Sequence, residues 1–275
     1  MSYKTILVHV DDTPRGKARI ELAVRLAREH GGHLVGVAMT GISRYISYGS
    51  NVDIARSLIE PQLRQLADKA NAALLQFEAM AAAAPGVSFE KRLIDDDHAP
   101  GLASQARYAD LVVVSQSDPG TLVVRIAPDL PAYVMLHSAC PVLIVPFAGA
   151  PLACGAHPLV AWDESLQSSR AVANGVPLLQ RAPKVSLAVF NAGAEPRPAG
   201  ADIALFLARH GVNVEVLRRE TEVEIGFALL GLAADIGADM LVMGGYGHAR
   251  FREVVLGGVT QTMLSNMTVP VLMSH

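Results

Sequence analysis

The sequence has few of the residues that mark an extracellular, membrane or nucleic-acid-binding protein. Its two cysteines, Cys140 and Cys154, lack any Cys-x-x-Cys spacing, which argues against a disulfide framework and a zinc site. It contains no apolar run of about 18 residues, so no membrane span is expected. Lysine and arginine form no cluster and the net charge is −3, which argues against a nucleic-acid-binding surface.

The composition otherwise suits a well-packed globular protein. Hydrophobic residues make up 51% of the chain and charged residues 18%, which is ample for buried cores. A length of 275 residues fits two domains of average size. The chain opens with an alternating strand pattern that leads to the carboxylate of Asp11, unlike a signal peptide. We therefore expect a cytoplasmic protein.

Three pairs of segments indicate that the chain is a tandem repeat. The matching pairs are 6–11 with 158–163, 109–115 with 238–244, and 140–146 with 269–275. The offset is 152 residues for the first pair and 129 for the other two. Because the offset falls from 152 to 129 residues, the first copy contains an insertion, which we place between its second and third strands. We predict two domains, residues 1–148 and 155–275, joined by a linker of small residues.

Strand and helix patterns alternate in both copies. In the first copy we predict strands at 3–10, 33–39, 87–94, 111–115 and 141–145, and helices at 14–29, 51–84 with a break at Pro61, 97–107 and 130–138. In the second we predict strands at 158–162, 185–190, 212–217, 240–243 and 269–273, and helices at 165–179, 199–209, 223–236 and 258–265. This alternation forces parallel pairing through right-handed crossovers. It predicts an α/β fold with two tandem, doubly wound, open parallel-sheet domains that are Rossmann-like.

The stretch that follows Asp239 has the features of an anion-binding loop. Its apolar run, 240–244, predicts a strand buried on both faces. The glycines of the stretch are Gly244, Gly245, Gly247, Gly257 and Gly258. A strand, a glycine loop and a helix start together present backbone N–H groups and a positive dipole end to an anion. We interpret the stretch as a phosphate-binding loop; the alternative is a tight turn without a ligand.

With these features the chain resembles the universal stress proteins, as a tandem two-domain member with an adenine nucleotide alpha-hydrolase-like fold. The resemblance rests on the opening strand that ends in Asp163, the Ala-Asp-aliphatic strand, the glycine loop and the closing Pro-Val-Leu strand. The ATP-binding pattern of the family is Gly, two residues, Gly, nine residues, then Gly followed by Ser or Thr. Gly244, Gly247 and Gly257 fit this spacing. Gly258 departs from it, which removes a hydroxyl but leaves the backbone N–H groups.

The resemblance implies a role for each residue of the site. Asp163 would lie at the adenosine end of ATP, ADP or AMP, with or without Mg²⁺. Val189 would offer its backbone and an apolar surface to adenine, and Met243 and Gly244 would border the ribose. The implied phosphate contacts are Gly247, Gly257, Gly258, Val259 and Thr260. Three polar neighbours could add positive charge or belong to a solvated loop: His248, Arg250 and Arg252.

The first copy lacks the glycine loop. Ser115 stands at the end of its fourth strand, where the second copy has Gly244. Asp118 would place negative charge near a phosphate, and Pro119 removes a backbone donor. We predict that domain 1–148 is degenerate and has lost nucleotide binding. Asp11 is then left with an architectural role or a small ligand without phosphate.

Other function classes are tested by their motifs. A dehydrogenase would show Gly-x-Gly-x-x-Gly directly after the first strand, and a P-loop NTPase needs a Lys after its glycines; neither occurs here. The main interpretation is a stress-response protein that binds ATP and acts as a regulatory or protein-interaction module with a protein partner. The alternatives are a tandem scaffold with no nucleotide or a non-nucleotide ligand, and a slow ATPase.

Two further patterns concern assembly and metals. Pro141 and Pro270 each open a short apolar strand, as is typical of sheet edges. The resemblance implies that such edges pair, so we predict an internal pseudo-dimer of the two halves and expect a homodimer of the chain. The acidic run 95–98 could bind a metal, but we favour a solvated turn in which Asp97 caps the next helix.

Overall fold

The computed structural model describes residues 2–13, 15–42, 53–118, 129–147, 154–193, 198–247 and 258–275. The chain divides into two compact units. Of the described residues, the N-terminal unit holds Ser2–Ser115 and 129–140. The C-terminal unit holds 116–118 and Pro141–His275. The domain boundaries at 148 and 155 remain a prediction from the repeat.

The N-terminal unit alternates strands and helices. Its strands are β1 (Thr5–His9), β2 (His33–Met39), β3 (Ser88–Ile94) and β4 (Leu111–Ser115). Its helices are α1 (Gly16–His30), α2 (Asp53–Ala82), α3 (His98–Gln105), a 3-10 turn (Ala106–Tyr108) and α4 (Leu130–His137). The strand order is β3-β2-β1-β4, with every pair parallel.

The C-terminal unit repeats the pattern. Its strands are β5 (Val142–Val145), β6 (Pro158–Ala161), β7 (Val185–Phe190), β8 (Val214–Arg219), β9 (Met240–Gly244) and β10 (Val271–Ser274). Its helices are α5 (Leu166–Leu179), α6 (Ala201–Arg209), α7 (Ile225–Asp235) and α8 (Gly258–Asn266). The strand order is β5-β10-β9-β6-β7-β8, parallel except that β5 runs antiparallel to β10.

Strand order reverses once beside the first strand of each copy. In the C-terminal unit, β6, β7 and β8 follow one another to one side, whereas β9 and β10 lie on the other side of β6. In the N-terminal unit, β1 likewise lies between β2 and β4. The predicted doubly wound, mainly parallel fold is confirmed, with the β5–β10 pair as the antiparallel exception. The carboxyl ends of β6 and β9 therefore form the crevice in which such folds bind ligands.

Apolar runs explain why the central strands form. In β9, Met240 through Met243 are all buried, and in β4, Leu111 through Val114 are fully buried. Such runs suit strands that are covered on both faces. Helix α1 ends at Gly31, whose φ of +58° is left-handed and whose N–H bonds the Arg28 carbonyl.

The predicted break at Pro61 is wrong. Helix α2 continues through Pro61 and extends for 30 residues, which is where the insertion of the first copy lies. A proline inside a helix costs roughly 3 kcal/mol because one hydrogen bond is lost and the ring crowds the preceding turn. Further along the same helix, Leu74 and Phe77 are buried in the core. This packing offsets the local cost.

No helix among the described residues is long and apolar enough to cross a membrane.

Candidate functional site

The end of β9 passes very close to the start of α5. A Cβ atom added to Gly244 would lie 2.5 Å from the backbone nitrogen of Ser168 and 2.6 Å from the carbonyl carbon of Gln167. Contacts this short cannot be relieved by turning a side chain, because the neighbours are backbone atoms. Glycine is thus required at 244 by the close approach, independently of any ligand.

The loop after β9 is held by backbone hydrogen bonds. The N–H of Gly245 donates to the Ser274 carbonyl at 2.9 Å, and the N–H of Tyr246 donates to the Thr260 hydroxyl at 3.1 Å. Tyr246 has a φ of +56°, an uncommon conformation for a residue with a side chain. These two N–H groups are already engaged, so they are not the ones that would meet a phosphate.

Asp163 lies two residues after the end of the neighbouring strand β6, and its side chain is hydrogen-bonded to the turn that follows. Its Oδ1 accepts hydrogen bonds from the Ser165 N–H at 3.1 Å and from the Ser165 hydroxyl at 2.6 Å. Ser165 also caps α5, because its Oγ accepts the N–H of Ser168 at 3.1 Å. The carboxylate is therefore fixed in orientation while the Asp163 residue stays exposed.

Gly247, in the glycine loop, lies next to the turn that contains Ser165. A Cβ on Gly247 would stand 3.4 Å from Ser165 Oγ and 3.5 Å from Gln167 Oε1, which is ordinary van der Waals contact. Asp163 and Gly247 therefore both adjoin Ser165, although 84 positions separate them in the sequence. Asp163, predicted for the adenosine end of the nucleotide, and Gly247, predicted for its phosphates, thus both lie next to Ser165.

The start of α8 provides the third side of the loop. Gly258 is the first residue of this helix and is exposed, and a Cβ there would meet no atom within 4 Å. The first N–H groups of an α-helix lack partners within the helix and carry its positive potential. Val259 and Thr260 follow, and Thr260 is 4% exposed. The Thr260 hydroxyl accepts from Tyr246, so it anchors the loop in addition to any contact with phosphate.

Val189 and Met243 are both part of the core. Val189 is 6% exposed, and its Cγ2 lies 2.9 Å from the position that a Cβ on Gly200 would take. Met243 is 4% exposed and pairs with Met273 in the sheet. Their side chains are used for packing, so backbone groups are what they would offer to adenine and ribose.

Five residues used in the sequence predictions lie outside the described part of the chain, one of which is Pro119. The others are His248, Arg250, Arg252 and Gly257.

The site geometry can be compared with known families. A model of the universal stress protein family matches residues 2–146 and 199–275, most of the chain. This chain belongs to the universal stress protein family. Among curated proteins, no sequence matches it.

Solved structures show the same fold. A universal stress protein from Archaeoglobus fulgidus DSM 4304 superposes with a TM-score of 0.78 at 15% identity, covering 98% of this chain and 95% of its own. A functionally unknown protein from Pseudomonas aeruginosa PAO1 gives a TM-score of 0.58 at 16% identity, covering 99% of this chain and 92% of its own. At these identities, the likeness concerns the fold alone.

The N-terminal unit of this universal stress protein carries a different arrangement at the matching strand ends. Arg19, on α1, is 1% exposed and donates from Nε to the His9 carbonyl at 2.7 Å and from Nη1 to the Ser115 hydroxyl at 2.8 Å. Its Nη2 lies 2.9 Å from Oδ1 of Asp11. One guanidinium thus links the ends of β1 and β4.

This buried charge changes the titration of its neighbours. Burial favours the protonated carboxyl of Asp11, but Arg19, with His9 and Thr13, outweighs it and lowers the pKa of Asp11 to about 2. Burial, together with the Arg19 charge, lowers the pKa of His9 to about 3, although Asp11 acts in the opposite direction. At neutral pH the cluster therefore holds one ion pair and a neutral imidazole.

The acidic run before α3 differs from the predicted solvated turn. Asp97 occupies the capping position of α3, but among the described residues its side chain makes no capping hydrogen bond. Asp96 is instead 3% exposed, and its Oδ1 accepts the N–H of Asp97 at 3.0 Å. Within the described residues, no group of three or more His, Cys, Asp or Glu side chains could hold a metal ion.

Three residues of these two sites were not predicted from the sequence: Ser165, Tyr246 and Arg19. For Ser165 a signal existed, because a hydroxyl residue follows the strand-ending aspartate by two positions in both copies, as Thr13 and Ser165. The positive φ of Tyr246 has no sequence signal. Arg19 lies on a mostly apolar face of α1, which could have marked it as a buried charge.

Proposed function

We propose that this universal stress protein binds ATP, or ADP or AMP, in the C-terminal unit and acts as a regulatory or protein-interaction module in a stress response. The nucleotide lies at the carboxyl ends of β6 and β9, with adenosine toward Asp163 and phosphates toward Gly247 and the start of α8. The observation that carries the proposal is the convergence of Asp163 and Gly247 on Ser165.

The chemistry of the two ends supports this orientation. The Asp163 carboxylate is fixed by Ser165 and exposed, so it can accept hydrogen bonds from the hydroxyl or amino groups of a nucleoside. At the other end, the exposed start of α8 favours an anion. A carboxylate repels phosphates and a helix start attracts them, so the reverse orientation is disfavoured.

Glycine at 247 provides the sharpest test. We expect Gly247→Asp to reduce ATP affinity by more than about tenfold, or roughly 1.4 kcal/mol, because its carboxylate would lie where the phosphates bind. The fold should tolerate the change, since a Cβ at 247 meets its neighbours at ordinary contact distance. Equilibrium dialysis with labelled ATP measures the effect.

Gly231→Asp is the matched control. Gly231 is exposed in the middle of α7, and a Cβ there meets no atom within 4 Å. This variant adds the same charge to the same unit and should bind ATP like the wild type. Unchanged ATP affinity in Gly247→Asp would eliminate the phosphate-binding loop as the nucleotide site, whereas a wild type that binds no ATP would leave a scaffold without nucleotide as the function.

Two further measurements separate the remaining alternatives. Phosphate release from ATP, with Mg²⁺ and with EDTA, distinguishes a binding protein from a slow ATPase. Hydrogen exchange with and without ATP tests the regulatory part, since a nucleotide that controls a partner must change the protection of some segment. The cytoplasmic location, the protein partner, the internal pseudo-dimer and the homodimer stay predictions.

A further inference from the structure

The two strand-end crevices share one detail. Asp11 Oδ1 accepts from the Thr13 N–H at 3.1 Å and from the Thr13 hydroxyl at 2.6 Å. Asp163 Oδ1 accepts from the Ser165 N–H and hydroxyl at the same two distances. The N-terminal unit has therefore kept the carboxylate in the conformation that the C-terminal unit uses in the proposed site.

They differ in what faces that carboxylate. At the repeat offset of 152, Arg19 corresponds to Ala171, and both positions are buried, at 1% and 0% exposed. At the offset of 129, Ser115 corresponds to Gly244. A long cation and a hydroxyl thus occupy the N-terminal unit where a methyl group and a bare backbone stand in the C-terminal unit.

The guanidinium satisfies the groups that a nucleoside would otherwise contact. It pairs with Oδ1 of Asp11, bonds the carbonyl of His9 at the end of β1, and bonds the Ser115 hydroxyl at the end of β4. A buried charge is retained only when it is paired and hydrogen-bonded in this way. Displacing Arg19 would leave Asp11 as an uncompensated, largely buried charge, so a neutral ligand cannot compete for it.

We infer that Arg19 is the residue that closes the N-terminal crevice to adenosine, and that the alanine at the matching position 171 keeps the C-terminal crevice open. This inference rests on the proposed function, since it takes the Asp163 crevice as the adenosine site. It goes beyond the loss of the glycine loop, because that loop would bind the phosphates, whereas Arg19 occupies the place where the nucleoside would bind. Arg19 therefore determines which unit of the tandem accepts the nucleoside.

The test uses the full chain and photolabelling with 8-azidoadenosine, followed by peptide mapping. The wild type should be labelled only in peptides of the C-terminal unit. Arg19→Ala should gain labelling in peptides of the N-terminal unit, and millimolar guanidinium ion should suppress this new labelling by refilling the space. Arg28→Ala, an exposed arginine on the same helix, should behave like the wild type.

Each outcome decides the inference. A folded Arg19→Ala chain without N-terminal labelling overturns it, and so does N-terminal labelling that guanidinium ion leaves unchanged, because loosened packing would explain that. If Arg19→Ala does not fold, the reciprocal Ala171→Arg decides: loss of C-terminal labelling with an unchanged circular dichroism spectrum supports closure by arginine, and retained labelling refutes it. A wild type without any labelling contradicts the proposed function instead, while Arg19→Ala still reports on the N-terminal crevice.

Discussion

The backbone N–H of Tyr246 donates a hydrogen bond to the side-chain hydroxyl of Thr260, across 3.1 Å. This bond joins the glycine loop after β9 to the first turn of α8. It therefore fixes the loop relative to the helix start that would face the phosphates.

Replacing Thr260 by valine tests this bond. Thr260→Val keeps the shape but removes the acceptor, which leaves the Tyr246 N–H unsatisfied at a cost of about 1–3 kcal/mol. We expect lower ATP affinity together with a lower free energy of unfolding, measured by dialysis and urea denaturation. Thr260→Ser, which keeps the hydroxyl, should retain both. Equal ATP affinity in all three proteins would mean that the bond does not order the loop.

Ser165 and its counterpart Thr13 should differ in their effect on ATP affinity. Ser165→Ala removes the cap of α5 and the hydroxyl hydrogen bond to the Asp163 carboxylate, while the backbone N–H bond remains, so we expect a loss of about 1 kcal/mol in stability and a weaker affinity for ATP. Thr13→Ala makes the equivalent change at Asp11 and should leave ATP affinity unchanged. If both variants bound ATP equally weakly, the nucleotide would not be confined to the C-terminal unit.

Two glycine-to-alanine substitutions should change the free energy of unfolding in opposite directions. Gly244→Ala forces a methyl group against the backbone of Ser168, so we expect a destabilisation of about 1–3 kcal/mol. Gly231→Ala adds a helix-favouring residue at an exposed position of α7 and should stabilise by about 0.5–1 kcal/mol. Urea denaturation of both variants measures the effects, and a Gly244→Ala chain as stable as the wild type would contradict the close approach of β9 to α5.

His9 should make the fold sensitive to acid. Its ring is buried beside Asp11, with Arg19 and the His98 ring close by, and its pKa is lowered from 6.5 to about 3. Below pH 6.5 the unfolded chain protonates His9 before the folded chain does, so unfolding takes up a proton. The free energy of unfolding should therefore fall as the pH decreases from 6.5 toward about 3.

The variant His9→Leu isolates this contribution. Unfolding of this variant takes up no proton at position 9. The difference in free energy of unfolding between the wild type and the variant should therefore decrease as the pH is lowered. Urea denaturation at several pH values between neutrality and the acid limit of folding measures the difference. A constant difference across that interval would show that His9 does not stay neutral when folded.

Cys140 should be unreactive in the folded protein. Burial raises the pKa of its thiol to about 12, and its Sγ lies 3.4 Å from the Ala106 carbonyl oxygen. In a Cys154→Ser background, where Cys140 is the remaining cysteine, a disulfide reagent should react slowly with the native chain and fast in denaturant. Similar rates in the two conditions would show that the thiol is accessible.

The fold was predictable because its signals are local. Apolar runs such as 111–114 and 240–243 predict buried strands in an alternating pattern, and these two runs are the same segment in the two copies of the repeat. The break at Pro61 could not be decided locally, because the cost of a proline is offset by the packing of distant residues such as Phe77. The antiparallel β5–β10 pair likewise depends on partners far apart in the chain.

The sequence by itself determined the tandem α/β fold, the family, and the residue types at the two strand ends, because periodicity and glycine spacing are properties of the chain alone. Only the tertiary structure decided how those residues are used. It set Gly247 and Asp163 around Ser165, engaged the Thr260 hydroxyl with Tyr246, and buried Arg19 against Asp11. The physical reason is that hydrogen bonds and ion pairs depend on distance in space, which the order of residues does not specify.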